Sequence, residues 1–198
     1  MIQRLRRRVA DEKGYSLVEL VTVVAILGIV MGALTTMFVT ASNGELDMNR
    51  RFVAQENARL AIDKLRREIH CASAVSPSGS SSSITITIPS ACPTAQGFTT
   101  IHWCVLAPPG AWSGRYALYR STADTCTTSN GVKWADYLTT DSIFNHTVQS
   151  SQSLSSLAVS LVVTVKRNST QGTFRLNDSI VLRNSSRTCI TGSPSPPC

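Results

Sequence analysis

One acidic residue lies where a carboxylate is costly. Glu19 falls inside a nearly continuous apolar segment, residues 15–39. As a helix this segment would be roughly 37 Å long at about 1.5 Å per residue, which exceeds the roughly 30 Å hydrocarbon core of a bilayer. A charged side chain near that core costs on the order of 2.5 to 3.5 kcal/mol on insertion scales. Glu19 is therefore a candidate functional residue that needs a cation close by.

A cut between Gly14 and Tyr15 would supply that cation. The new amino group would lie four residues before Glu19. It could lie near the carboxylate of its own chain, or near that of a neighbouring subunit shifted along a filament axis. In the second arrangement Glu19 sets the register of assembly. Five apolar residues are then predicted to pack against neighbouring helices: Leu17, Val21, Val24, Ile26 and Leu27.

Residues 13–20, Lys-Gly-Tyr-Ser-Leu-Val-Glu-Leu, resemble the leader-cleavage motif of type IV prepilins and type II secretion pseudopilins. The resemblance implies that a membrane-embedded prepilin peptidase cleaves after Gly14 and methylates the new terminus at Tyr15. It also implies that Glu19 pairs with the terminal amine of an adjacent subunit. Most members of the family begin the mature chain with Phe, so Tyr15 departs from the pattern but keeps an aromatic ring.

Two other interpretations of the apolar segment stay open. One is a conventional secretory signal peptide cleaved after Ala41, since residues 39–41 have the small-residue pattern that signal peptidase accepts. The other is an uncut signal anchor. A signal peptide has an apolar core of about 7 to 15 uncharged residues, whereas this segment is longer and contains Glu19. The length and the acid favour the prepilin.

Basic residues before the apolar segment predict its orientation. The cluster at residues 4–8 places the N-terminus in the cytoplasm and the rest of the chain outside. We therefore expect a single pass through the bacterial cytoplasmic membrane, followed by entry into a cell-surface or periplasmic filament. The predicted division of the chain is a leader (1–14), a transmembrane and filament-core helix (15–41), an amphipathic helix continuing into a head (42–74), and the head itself (75–198).

All six cysteines follow the apolar segment and would thus lie outside the cytoplasm. An even number in an oxidising compartment suggests up to three disulfides, and the sequence does not choose among the fifteen pairings. A disulfide-bounded loop near the C-terminus would tie down the Pro-rich tail. The cysteines keep no zinc-ligand spacing with each other or with histidines. The candidates are Cys71, Cys92, Cys104, Cys126, Cys189 and Cys198.

Charge and motifs argue against other functions. The formal charge is +7, of which the first 14 residues carry +3, leaving +4 scattered without an aromatic-basic stripe. Nucleic acid is therefore not an expected partner. No nucleophile elbow, phosphate loop or metalloprotease helix is present, so we expect no enzyme activity, no cofactor and no metal. His102-Trp103-Cys104 suggests a Cys-His pair, but an alternating strand places adjacent side chains on opposite faces.

The pattern predicts an α+β protein with the pilin fold, in which one long helix packs on an antiparallel sheet. Beyond a weak point at Asn43-Gly44, residues 45–70 resume a helical pattern, with Asp63 and Arg67 spaced as a surface pair. Residues 75–83 are predicted to be a flexible loop. One apolar stripe should face the sheet, formed by Ala54, Ala58, Ala61, Leu65 and Ile69. Strands are predicted at 84–88, 99–106, 116–120, 157–166 and 173–182, with a hairpin turn at 168–172.

This layout resembles the larger minor pseudopilins, the J-type of secretion systems or the W-type of pilus systems. The resemblance implies a minor subunit of a type IV pilus or of a secretion pseudopilus, placed near the filament tip or acting in initiation. Its partners would be other pilin or pseudopilin subunits, prepilin peptidase and the cytoplasmic membrane. The alternative is a pilin-mounted adhesin or DNA-uptake (competence) module, in which the head binds a ligand and the helix is the mount.

Overall fold

The structure is a computed structural model that describes residues 14–90, 92, 93, 97, 99–150, 153–166 and 173–184. The chain divides into two compact units, residues 1–47 and 48–198. One element, α1 (Leu17–Cys71), contributes to both. The helix continues through Asn43 and Gly44, so the interruption expected there is absent. Helical hydrogen bonding over 55 residues outweighs the low helix propensity of two neighbouring positions.

The second half of α1 is amphipathic, as predicted. The five residues of the expected stripe are all buried, and Ile62 and Glu68 are buried beside them. The predicted surface ion pair between Asp63 and Arg67 is wrong, because the Asp63 carboxylate has a different partner. Asp63 accepts from the Arg66 guanidinium at 3.5 Å, three residues on, whereas Arg67 Nε donates to the Asp63 carbonyl at 3.3 Å.

In the part of the chain that the structure describes, nine strands follow the helix. They are β1 (Ala74–Ser76), β2 (Gly79–Ser81), β3 (Ser83–Thr87), β4 (Thr100–Leu106), β5 (Tyr116–Ser121), β6 (Val132–Leu138), β7 (Phe144–Thr147), β8 (Ser156–Val163) and β9 (Phe174–Val181). The five predicted strands correspond to β3, β4, β5, β8 and β9. The predicted turn at 168–172 lies outside the described residues, but β8 and β9 pair as an antiparallel hairpin.

All strand pairs are antiparallel, in the order β1-β3-β4-β5-β6-β8-β7-β2, and β9 pairs with the other edge of β8. The first and last strands of this order are separated by only two residues, Pro77 and Ser78. Ser76 and Gly79 can therefore be no more than about 11 Å apart at 3.8 Å per Cα step, so the sheet must curl until its two ends meet.

The prediction of a flexible loop over residues 75–83 is wrong. The segment forms β1 and β2, which add to the two opposite ends of the sheet by pairing with β3 and β7. Its Ser and Gly content removes the alternation that marks a strand, but the unpaired backbone groups of β3 and β7 still need partners. The backbone is therefore ordered by its neighbours instead of by its own side chains.

The core lies between the buried stripe of α1 and the concave face of the sheet. Trp103 and Phe144 are the largest fully buried side chains in it. A smaller apolar cluster on the other face of the sheet is formed by Cys104, Ala117 and Tyr119. The helix thus joins the sheet through a continuous apolar interface, which confirms the predicted α+β arrangement.

Candidate functional site at the helix start

The residues predicted for processing lie in an exposed segment directly before the helix. Gly14, Tyr15 and Ser16 precede α1, and Tyr15 is 82% exposed. A Cβ added to Gly14 would have no heavy atom within 4 Å. The fold of this chain therefore does not require glycine at position 14. Any requirement for glycine there must come from a molecule that binds this segment.

Glu19 is the third residue of α1. The amide of Leu20 donates to the carbonyl of Ser16 at 3.1 Å, which makes Ser16 the N-cap residue and places Glu19 in the first turn. A carboxylate there interacts favourably with the positive end of the helix dipole. Within the described part of the chain, no hydrogen bond or ion pair involves the Glu19 carboxylate. Its side chain is exposed and can accept a cation from another molecule.

The five residues predicted to pack against neighbouring helices are all more than half exposed. At about 100° per residue, Leu17, Val21, Val24 and Leu27 fall within an arc of about 120°, and Ile26 lies on the opposite side. The apolar surface therefore surrounds the helix instead of forming one seam. The exposures are 78% for Leu17, 56% for Val21, 59% for Val24, 62% for Ile26 and 53% for Leu27.

Gly28 and Gly32 are a further feature of this helix that the sequence interpretation missed. They are four residues apart, and a Cβ at either would meet no heavy atom of this chain within 4 Å. Small residues at this spacing let a second helix approach closely in a membrane. The signal was readable in the sequence as Gly-x-x-x-Gly within an apolar segment.

α1 is long and apolar enough to cross a membrane, and no residue of its apolar window is buried within the chain. An exposed apolar helix of this length, followed by an α+β head, supports membrane anchoring. Residues 10–35 match the family model described as the prokaryotic N-terminal methylation motif. This match covers 26 of the 198 residues and supports a type IV prepilin-like protein, a class that implies association with other pilin subunits and with the membrane. No curated protein and no solved structure matches the chain.

The head contains two of the disulfides that the cysteine count predicted. Cys71, the last residue of α1, bonds to Cys92. Cys104 on β4 bonds to Cys126 in the loop after β5. Cys189 and Cys198, and the terminal loop proposed for them, lie outside the described residues. The first bond joins the end of the helix to the segment between β3 and β4, and the second joins the loop 122–131 to β4.

The argument that His102 and Cys104 lie on opposite faces of their strand, and so cannot form a Cys-His pair, was wrong. His102 and Cys104 are two residues apart on β4 and so share a face. However, Cys104 forms the disulfide with Cys126, and His102 Nδ1 lies 3.1 Å from Thr85 Oγ1 on the neighbouring strand. Cys104 therefore offers no free thiolate to His102. Nor does any group of three or more metal-ligand side chains occur among the residues whose placement is described.

Glu68 is a buried carboxylate that the sequence interpretation did not single out. Its side chain is 0% exposed, and it accepts hydrogen bonds from Trp103 Nε1 and Arg120 Nε, each at 2.8 Å. Lys64 Nζ lies 3.3 Å away, one helical turn earlier. Glu68 thereby joins α1 to β4 and β5 through polar contacts inside the core. The signal in the sequence was an acid on the same stripe as Leu65.

A second ion-pair cluster lies at the junction of β5 and β6. Arg115 donates to both oxygens of Asp136, at 3.0 and 2.8 Å, and its guanidinium lies 4.9 Å from the ring centre of Trp112 and 4.1 Å from that of Tyr137. Burial raises the pKa of Asp136, but hydrogen bonds from Arg115, Lys133 and the Tyr137 amide outweigh burial and lower that pKa below its usual value. The bond to Asp136 likewise raises the pKa of Arg115.

Proposed function

We propose that this chain is a minor pilin or pseudopilin, a structural subunit of a type IV pilus or of a type II secretion pseudopilus. Prepilin peptidase cleaves after Gly14 and methylates Tyr15. The apolar part of α1 then holds the subunit in the cytoplasmic membrane until it is extracted into the filament. The role is associative, and it uses no catalytic residue of this chain.

The observation that carries the proposal is the Glu19 carboxylate, which has no partner among the described residues and lies on an otherwise apolar, exposed stretch of helix. In hydrocarbon this arrangement is unfavourable, and a cation from a neighbouring subunit would relieve it. The amine freed at Tyr15 is such a cation, four residues away in sequence. The exposed Gly14 segment supports the first step, because it is accessible and shows no requirement of its own for glycine.

The two disulfides support the proposed orientation. Disulfides persist in oxidising compartments, and both lie after the membrane-spanning segment. With the basic cluster at residues 4–8 inside, the head is exported. The filament is then built outside the cytoplasm from subunits that are supplied laterally by the membrane.

The test is Glu19→Ala in cells that carry the native assembly machinery. We expect normal cleavage and membrane insertion, with at least a tenfold loss from sheared filaments. Glu45→Ala is the matched control, because Glu45 is an exposed acid of the same helix outside the apolar segment. Normal incorporation of Glu19→Ala would refute the pairing with the amine.

The mature N-terminus provides an independent check. Mass spectrometry of the filament fraction should find a methylated Tyr15. A terminus at Ser42 would instead indicate an ordinary secreted protein, and an intact Met1 would indicate an uncut anchor.

A further inference from the structure

A groove of about 330 Å³ lies between α1 and β6 within the head. One wall is formed by Asn49, Arg50, Val53, Ala54 and Asn57 of the helix, and the other by residues 133–137 of β6. We refer to it as the α1–β6 groove. Its lining combines an apolar floor with amide and cationic side chains at the rim. A cavity of this size holds one or two amino-acid side chains.

The polar side chains on the helix wall are not used inside the chain. Among the described residues, the side chains of Asn49, Arg50 and Asn57 form no hydrogen bond or ion pair. Elsewhere on the same helix the polar side chains at Lys64, Arg66 and Glu68 are all engaged. The groove therefore presents several hydrogen-bond donors whose bonding capacity is still available.

The one acid of the groove is already saturated. Asp136 Oδ2 accepts from Arg115 at 2.8 Å and from Lys133 at 2.9 Å, and Oδ1 accepts from Arg115 at 3.0 Å and from the Tyr137 amide at 2.6 Å. Asp136 thus has little capacity to recruit a further cation. With Arg50 and Lys133 against this single acid, the groove carries a net positive charge. An incoming carboxylate would meet complementary charge.

Tyr137 forms the end of the groove in a conformation that side chains rarely adopt. Its φ is 63°, in the left-handed region, at a site where β5 and β6 shift register. Such a conformation is unfavourable for a residue with a side chain and persists where surrounding contacts enforce it. Here the Tyr137 amide donates to Asp136, its carbonyl accepts from the Thr164 amide at 2.9 Å, and its ring lies 4.1 Å from the Arg115 guanidinium. These contacts hold the aromatic wall in place before any ligand binds.

We propose that the α1–β6 groove binds an acidic side chain, Asp or Glu, of a neighbouring subunit in the filament. The proposal rests on the proposed function, because it takes another prepilin-like subunit as the partner. The carboxylate contacts the cations Arg50 and Lys133, and its aliphatic stem packs on Val53 and Trp134. A groove this small is insufficient for a stable complex by itself, so it acts together with the packing of the apolar helices.

The experiment uses the full chain in cells with the native machinery. The photo-crosslinking residue p-benzoylphenylalanine is placed at position 49, in the groove, or at position 145, an exposed site on β7, as the control. Crosslinks in sheared filaments are mapped by mass spectrometry. We expect position 49 to capture a peptide of another prepilin-type subunit, with Asp or Glu within a few residues of the crosslink.

Charge reversal then tests the chemistry. Arg50→Glu should lower the yield of that crosslink at least tenfold, and Arg50→Lys should retain it. Arg67→Glu is the matched control, because Arg67 is an exposed cation of α1 that does not line the groove. Reversing the captured acid to Arg in the partner should restore the crosslink to Arg50→Glu.

The inference is overturned if position 49 captures a saccharide, a nucleic acid or a non-acidic surface, or if no crosslink forms in filaments that contain the subunit. It is also overturned if Arg50→Glu leaves the yield unchanged. These outcomes differ from failure of the proposed function, in which the chain is absent from filaments whatever residue occupies position 50.

Discussion

Replacing Glu68 by Ala should destabilise the head more than any surface substitution. The carboxylate is 0% exposed and is bonded to Trp103 and Arg120 across the core. Removing one member of a buried ion pair typically costs about 3 to 5 kcal/mol, because its partner is left uncompensated. Of this, the unpaired Trp103 N–H accounts for about 1 to 3 kcal/mol. Arg120 retains 15% exposure and can turn partly toward water, so we expect a value near 3 to 4 kcal/mol.

This loss is a large share of the about 5 to 15 kcal/mol that stabilises a typical domain. It corresponds to a fall in Tm of about 6 °C or more for a chain of this size. The measurement is urea unfolding of the mature protein in detergent, followed by tryptophan fluorescence, since Trp103 is buried beside Glu68. Asp63→Ala is the control. That carboxylate is 60% exposed, and its loss should cost no more than about 1 kcal/mol.

A combined variant distinguishes two quantities. One is the net contribution of the buried polar cluster to the free energy of unfolding, and the other is the cost of removing only one of its members. Glu68→Met with Trp103→Phe and Arg120→Met removes the carboxylate and the two side chains that donate to it, while Lys64, which is 18% exposed, can turn to water. Unfolding of this variant is followed by circular dichroism, because the Trp103 probe is absent. Replacing a buried ionic cluster by apolar residues of similar size is often neutral. We therefore expect the triple variant to be more stable than Glu68→Ala. If Glu68→Ala loses less than 1 kcal/mol, like Asp63→Ala, the reasoning about the buried carboxylate is wrong.

Three further predictions concern the head and the helix. The lowered pKa of Asp136 stabilises the fold at pH values above the ordinary carboxyl pKa, and this stabilisation is lost as pH falls through the folded pKa. The urea-unfolding gap between wild type and Asp136→Asn should thus shrink from pH 7 to pH 3, and a constant gap would contradict the assigned ion pair. Gly131→Ala should destabilise the head by about 1 to 3 kcal/mol in urea unfolding, because the new Cβ would lie 2.8 Å from a backbone oxygen. Gly44→Ala meets no heavy atom within 4 Å and should instead raise the helicity measured by circular dichroism. Removing the Cys104–Cys126 bond, which closes a loop with a sequence separation of 22, should cost about 3 kcal/mol in urea unfolding, and an unchanged midpoint would argue against it.

The features that sequence predicts well here are those with regular spacing. The buried stripe from Ala54 to Ile69 follows the helical period, and the five strands with clear alternation or β-branched runs are all present. The candidate processing site could be assigned from a local motif alone, because Gly14, Tyr15 and Glu19 lie within six residues. The family match at residues 10–35 covers this same segment.

What sequence missed depends on contacts between distant residues. β6 escaped detection because the left-handed Tyr137 interrupts its alternation, and β1 and β2 are ordered by strands that lie elsewhere in the chain. Glu68 is 35 residues from Trp103 and 52 from Arg120, so no local pattern links the three. The α1–β6 groove joins residues near 50 to residues near 135. Such sites become visible only when packing brings the elements together.

The two strands that close the sheet have a mechanical consequence. Directly after Cys71, the chain is hydrogen-bonded first to β3 through β1 and then, two residues later, to β7 through β2. Tension that enters the head along α1 is therefore divided between opposite ends of the sheet, while the bond to Cys92 adds a covalent anchor at the same point. A head attached in this way resists being peeled from its helix one strand at a time.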